Sequence, residues 1–222
     1  MCGRYTFISG PHFDSQFAIR DTGNDMSSWD GYNIGPGSNE PVVLQNSPNH
    51  VELMKWGLIP PWAKDLNIGY KMINARAETL LEKVSFKRPF KNRRCIIPIS
   101  GFYEWKTVGK EKTPFYITPT DADYWGLAGL YEVHPGTEGK EIKSYTIVTT
   151  SPNDFMAEIH TRMPVILNSK DYDLWLDNTQ CDEPKLMQLL VPYTEKMKKK
   201  QVSSRVNSVA NQGEDLLAIV DH

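Results

Sequence analysis

The sequence predicts an α+β domain that is mostly β. Short segments rich in aromatic and β-branched residues, each bounded by Gly, Pro, Asn or Asp, recur along the chain, as strands and their turns do. Helical stretches fall between them without regular alternation, which argues against a doubly wound parallel sheet. Size is the third observation. A chain of 222 residues buries about 70% of the surface its unfolded form exposes, enough for one sizeable core. No internal repeat or low-complexity linker divides it, so a single domain over residues 1–222 is expected.

Taken in order, strands are expected at 5–8 (YTFI), 42–45 (VVLQ), 51–56 (VELMKW) and 95–105 (CIIPISGFYEW). Four more follow at 115–118 (FYIT), 124–131 (YWGLAGLY), 144–149 (SYTIVT) and 165–167 (VIL). Helices are expected at 12–19, 75–83, 153–159, 170–176 and 184–190, with Asn153 and Ser169 as N-caps of the third and fourth. Two stretches resist regular structure. Residues 32–37 (YNIGPG) favour turn geometry through their glycines and proline. Residues 56–62 (WGLIPPW) form a stiff loop with two tryptophans. Such a tryptophan plugs a core or, beside basic residues, stacks on bases.

Composition removes several classes of function. The 40% hydrophobic and 23% charged content excludes a wholly disordered chain, and no apolar run is long enough to span a membrane. The start, MCGRYTFISG, has no basic region followed by an apolar one, so no signal peptide is expected. Cys2, Cys95 and Cys181 make no CxxC pair, which fits reduced thiols and a cytoplasmic protein. The five histidines are scattered without metal-ligand spacing, so no metal and no cofactor is expected. A net charge of −2 argues against a polyelectrolyte binder as a whole. Locally, Lys83–Lys112 holds nine Lys/Arg against two acids, and residues 196–200 read KMKKK. Such runs are commonly solvated faces; the functional alternative is a groove for phosphates.

Cys2 is the most informative residue. Removal of Met1 ahead of a small residue leaves an α-amine and a thiol on adjacent carbons. An N-terminal amine titrates at about 7.7–8.0, so roughly a fifth is unprotonated at neutral pH, far more than for a lysine. The pair can add to an aldehyde as a Schiff base and close to a thiazolidine, or the thiol can act as a plain nucleophile. Asn74 and Arg76, in INARAE, are either a cap with a surface charge or an orienting amide beside a phosphate-binding guanidinium. Glu104, in GFYEW, is a carboxylate in apolar company, which suits proton transfer. His160, in IHTRMP, is a further acid/base candidate.

Together, MCGRY, YNIGPG, WGLIPPW, INARAET, FKNRRCIIPISGFYEWK, TTSPND and IHTRMPVIL, in this order, resemble the SRAP (SOS-response-associated peptidase) family of abasic-site-processing proteins. The resemblance is strong from Cys2 to about Leu167 and continues more weakly through 206–214. It implies a central open-barrel-like antiparallel sheet with flanking helices around a basic cleft for single-stranded DNA. It also implies that Cys2, exposed by removal of Met1, cross-links the ring-opened sugar of an abasic site as a thiazolidine. On this resemblance Asn74, Glu104 and His160 join Cys2 as catalytic residues, and Arg4, Arg76 and Arg162 contact phosphates. Trp62 is the candidate aromatic at a single-strand/duplex junction. The partner implied is single-stranded DNA with abasic sites, met by a monomer in the nucleoid-containing cytoplasm.

Three alternatives stay open on sequence alone. An amidotransferase-like N-terminal hydrolase also begins Met-Cys-Gly, but Arg4 stands where an apolar residue is expected. A peptidase acting in trans would use Cys2 as its nucleophile. A non-catalytic single-strand binder would rely on the basic stretch and Trp62.

Overall fold

The computed structural model describes residues 2–19, 26–45, 48–136 and 139–220. In chain order its strands begin with β1 (Tyr5–Phe7), β2 (Gly31–Ile34), β3 (Asn39–Leu44), β4 (His50–Trp56), β5 (Asn74–Arg76) and β6 (Arg94–Ile99). They continue with β7 (Gly101–Val108), β8 (Glu111–Pro119), β9 (Trp125–His134), β10 (Ile142–Thr150), β11 (Met163–Pro164), β12 (Ile166–Leu167) and β13 (Met197–Gln201). The α-helices are short: α1 (Phe13–Gln16), α2 (Val84–Asn92), α3 (Asp154–Ala157), α4 (Tyr172–Leu176) and α5 (Glu183–Gln188). The mostly β α+β class is what the chain adopts.

Strands β10, β4, β3, β6 and β9 are hydrogen-bonded in that order, and β9 pairs back onto β10, so the central sheet closes into a barrel. The open-barrel-like sheet expected is a barrel whose closure leaves its ring no unpaired edge, and one junction, β4 with β10, is parallel rather than antiparallel. The second sheet runs β13-β8-β7-β1-β2 and is antiparallel throughout.

The stretch expected as one strand at 95–105 is two strands in two sheets. The chain turns at Ser100, whose N–H donates to Thr6 O at 2.8 Å. The corner requires Gly101, because a Cβ there would lie 2.7 Å from Ile117 O and from the Tyr116 ring. A single core spans both sheets. It takes Tyr5, Phe7 and Phe102 from one and Ile96, Leu127, Tyr145 and Ile147 from the other, all fully buried.

Three local expectations are corrected and one holds. Residues 75–83 are not a helix: β5 pairs in parallel with β10, setting fully buried Ala75 against Val148. The helix lies further on, as α2, where Pro89 disguises it by lacking an N–H for the helical ladder. Tyr32–Ile34 belongs to β2, and only the Gly-Pro-Gly that follows is a turn. Ser169 opens a 3-10 turn rather than capping a helix. Asn153 does cap α3, its Oδ1 accepting from Met156 N–H at 2.8 Å.

Candidate active site around Cys2

The register of β1 on β7 positions the site. Tyr5 lies opposite Phe102 and Thr6 opposite Gly101, and Tyr103 N–H donates to Arg4 O at 2.9 Å, carrying the ladder one step further. Glu104 follows Tyr103 on β7, and its carboxylate lies close enough to act on the Cys2 thiol. Cys2 is fully buried, and burial pushes its thiol pKa up, with the Glu104 carboxylate pushing it further. Beyond Cys2 the described chain gives β7 no partner on this side. Glu104 also lines a cavity of about 520 Å³, together with Trp105, Thr107, Lys112, His160 and Asn207.

Asn74 reaches Cys2 from the barrel. Its strand, β5, is fixed by pairing with β10, and the residue before it is held twice: Ile73 O accepts from Trp56 Nε1–H at 3.0 Å and from Ile147 N–H at 3.2 Å. Asn74 Nδ2–H donates to Cys2 O at 2.8 Å. Asn74 Oδ1 is buried and accepts no hydrogen bond among the described residues. An unused acceptor beside the Cys2 backbone is suited to a donor absent from the chain, such as an amine or a sugar hydroxyl.

His160 follows α3, and its N–H donates to Met156 O at 2.8 Å. Its Nδ1 lies 3.0 Å from Arg162 N and 3.2 Å from Arg162 O. Asn74 and Glu104 thus lie beside Cys2, and Glu104 shares a cavity wall with His160.

The expected DNA contacts divide differently. Arg162 gives both terminal nitrogens to the Glu78 carboxylate, at 2.6 and 2.9 Å, and one of them also to Thr149 O at 2.7 Å. Arg4 donates to Asn33 Oδ1 at 2.7 Å and to Val206 O at 2.8 Å. Both guanidiniums are thus engaged within the protein. Arg76 is exposed at the end of β5. Trp62 is 58% exposed and borders a separate cavity of about 360 Å³ with Lys64 and Lys71, away from Cys2.

The basic run at 83–112 does not form a continuous groove. Arg94 is fully buried, Arg93 pairs with Glu132, and Lys91 pairs with Glu183 at 2.8 Å. Sequence reasoning placed Lys112 only within a basic run, and missed Thr107 and Asn207 as cavity residues and Asn33 as the partner of Arg4. The contacts of Asn33 and Asn207 are long-range and leave no local pattern.

Fold and site together define a small closed-barrel protein with a second antiparallel sheet, its Cys2 buried beside Asn74 and Glu104. The chain belongs to the SOS response associated peptidase (SRAP) family, whose description matches residues 1–209. It is 44% identical over 223 residues to the abasic site processing protein YoqW of Bacillus subtilis, covering 98% of this chain and 99% of that one. It is 32% identical over 225 residues to the chicken (Gallus gallus) abasic site processing protein HMCES, covering 86% of this chain and 66% of that one. Among solved structures, a Bacteroides thetaiotaomicron protein superposes with a TM-score of 0.88 at 26% identity, over 99% of this chain and 100% of its own.

Proposed function

We propose that this protein processes abasic sites in single-stranded DNA by capping them covalently through Cys2. Met1 is removed first, by the protein itself or by a host aminopeptidase, and the protein works in the cytoplasm on nucleoid DNA. The freed α-amine adds to the aldehyde of the ring-opened deoxyribose, and loss of one water gives an imine. The thiol then adds to the imine carbon: a C–S bond forms, the sulfur proton moves to nitrogen, and a thiazolidine closes. His160 and Glu104 shuttle the protons of ring opening and of water loss. Asn74 orients the Cys2 backbone and lends its free Oδ1 to the incoming amine or hydroxyl.

The carrying observation is the 2.8 Å bond from Asn74 to Cys2, beside Glu104, which shares a cavity wall with His160. The names of the related proteins support the choice of an abasic aldehyde as substrate. An unprotonated N-terminal amine is available near neutral pH, so the amine attacks first and the thiol closes the ring.

Intact-mass spectrometry before and after incubation with a single strand carrying one abasic site tests the proposal. Loss of Met1, then a gain of the oligonucleotide mass less one water, is expected. Cys2→Ser is expected to lose the heat-stable adduct while keeping transient imine chemistry and some strand cleavage. No adduct from a chain that begins at Cys2, or a heat-stable adduct from Cys2→Ser, would overturn it.

A further inference from the structure

A nucleotide bound at Cys2 brings a phosphate on each side of its sugar, and both must sit near Glu104, whose carboxylate repels them. Some cation has to offset that repulsion. Two of the three arginines expected to do so are already committed: Arg162 to Glu78 and Thr149, Arg4 to Asn33 and Val206. The cation that lines the Glu104–His160 cavity is instead Lys112.

Lys112 stands near the start of β8, directly opposite Thr107 on β7, and both are exposed. Cross-strand partners present their side chains on one face of a hairpin, so an ammonium and a hydroxyl project together into the same opening. The wall beside them is fixed, because Trp105 Nε1–H donates to Asn207 Oδ1 at 2.8 Å. Among the described residues Lys112 makes no ion pair, unlike Lys91, Lys143, Lys185 and Lys199, which each face a carboxylate. A compact ammonium with a neighbouring hydroxyl is a phosphate-binding pair.

We propose that Lys112 and Thr107 clamp one of the two backbone phosphates flanking the abasic sugar held at Cys2, with Arg76 serving the other side. The inference rests on the abasic-site reading above and adds to it the residues that seat the strand. The clamp acts on binding and register; it takes no part in bond making.

The test follows the rate of adduct formation against DNA concentration at several salt concentrations. Wild type is compared with Lys112→Gln, Thr107→Val and a control, Lys110→Gln, at the hairpin turn outside the cavity. Lys112→Gln is expected to raise the half-saturating DNA concentration roughly tenfold. It should flatten the salt dependence by about 0.7 in log–log slope, the share of one single-strand phosphate contact. The maximal rate and melting temperature should stay as in wild type, and Lys110→Gln should change nothing. Replacing each flanking phosphate in turn by a neutral methylphosphonate then identifies the one that is held. At that position wild type loses affinity and Lys112→Gln loses nothing further. An unchanged salt slope in Lys112→Gln, or full additivity at both positions, overturns the clamp. If wild type forms no adduct, the proposed function fails; anisotropy titration of the same strand over the same salt series still decides for or against Lys112.

Discussion

Cys2 is buried under the protein's own chain, and the thiol holds its proton because both the apolar surroundings and Glu104 disfavour a negative sulfur. A second group under similar stress is Glu40 on β3. It is 8% exposed, borders a cavity of about 500 Å³ with Gly35, Ser38 and Gln212, and burial raises its carboxyl from 4.5 to about 7. Its charge acts on the buried pair Tyr5 and Tyr145, whose hydroxyls lie 2.6 Å apart. The sign follows from the direction of the shift. The fold prefers the protonated acid, so the stability this group contributes is complete below about pH 4.5 and is lost as pH rises to about 7. Glu40→Gln keeps the volume and removes the titration. Between pH 4.5 and 8 wild type should lose roughly 2–3 kcal/mol more than Glu40→Gln. Urea unfolding at the two pH values measures it, and equal losses would show that Glu40 does not bear the strain.

Among the elements, α2 and α4 are tied to the barrel by one side chain. Arg94, the first residue of β6, is fully buried without a carboxylate partner. Its guanidinium donates to Phe90 O at 2.8 Å, Lys91 O at 2.7 Å, Trp175 O at 2.7 Å and Gln180 O at 2.9 Å, and also to Asp177 O. These carbonyls lie at or just beyond the ends of the two helices, where backbone oxygens lack partners and the helix dipole is negative. Arg94 thus satisfies both ends at once, and Trp175 Nε1–H returns a bond to Cys95 O at 2.8 Å. Arg94→Met fills similar space and strands the carbonyls, so a loss of about 3–5 kcal/mol is expected, read by denaturant midpoint. A loss under 1 kcal/mol would mean that water replaces the guanidinium. Sequence patterning recognised β6 from its apolar run and grouped Arg94 with surface cations, because a charge carries no local mark of being buried.

Across the whole molecule, the segment at Arg4 meets the segment at 206–211 through Asn33. Asn33 on β2 is buried, its Oδ1 accepting from Arg4 and its Nδ2–H groups donating to Ser208 O at 2.8 Å and Asn211 O at 3.0 Å. The segment so held supplies Asn207 to the cavity wall, and Val206 packs on Tyr103 and Tyr116 beneath it. Asn33 therefore couples the position of residues 203–212 to that of Arg4, two residues from Cys2. Asn33→Ala should open this segment to limited proteolysis and slow adduct formation in parallel, with the barrel's melting transition retained. Slower adduct formation with an unchanged protease pattern would separate the two and remove the coupling. The KMKKK run finds its place at this scale too: Met197–Gln201 is the edge strand β13 on β8, with Lys199 paired to Glu158 and Lys200 over the Tyr116 ring.

The sequence by itself determined the mostly β class, the family, and the chemistry that a freed Cys2 would offer. Each of these is written in local pattern: an amine and a thiol on adjacent atoms, alternating apolar segments, short motifs in fixed order. The tertiary structure alone decided that the barrel closes, that 95–105 splits between two sheets, and which cations are free. Arg162 and Glu78 are 84 positions apart, and Arg4 and Val206 are 202 apart. Whether a guanidinium meets a phosphate or a carbonyl depends on what the fold brings to it, and that is a property of distance in space.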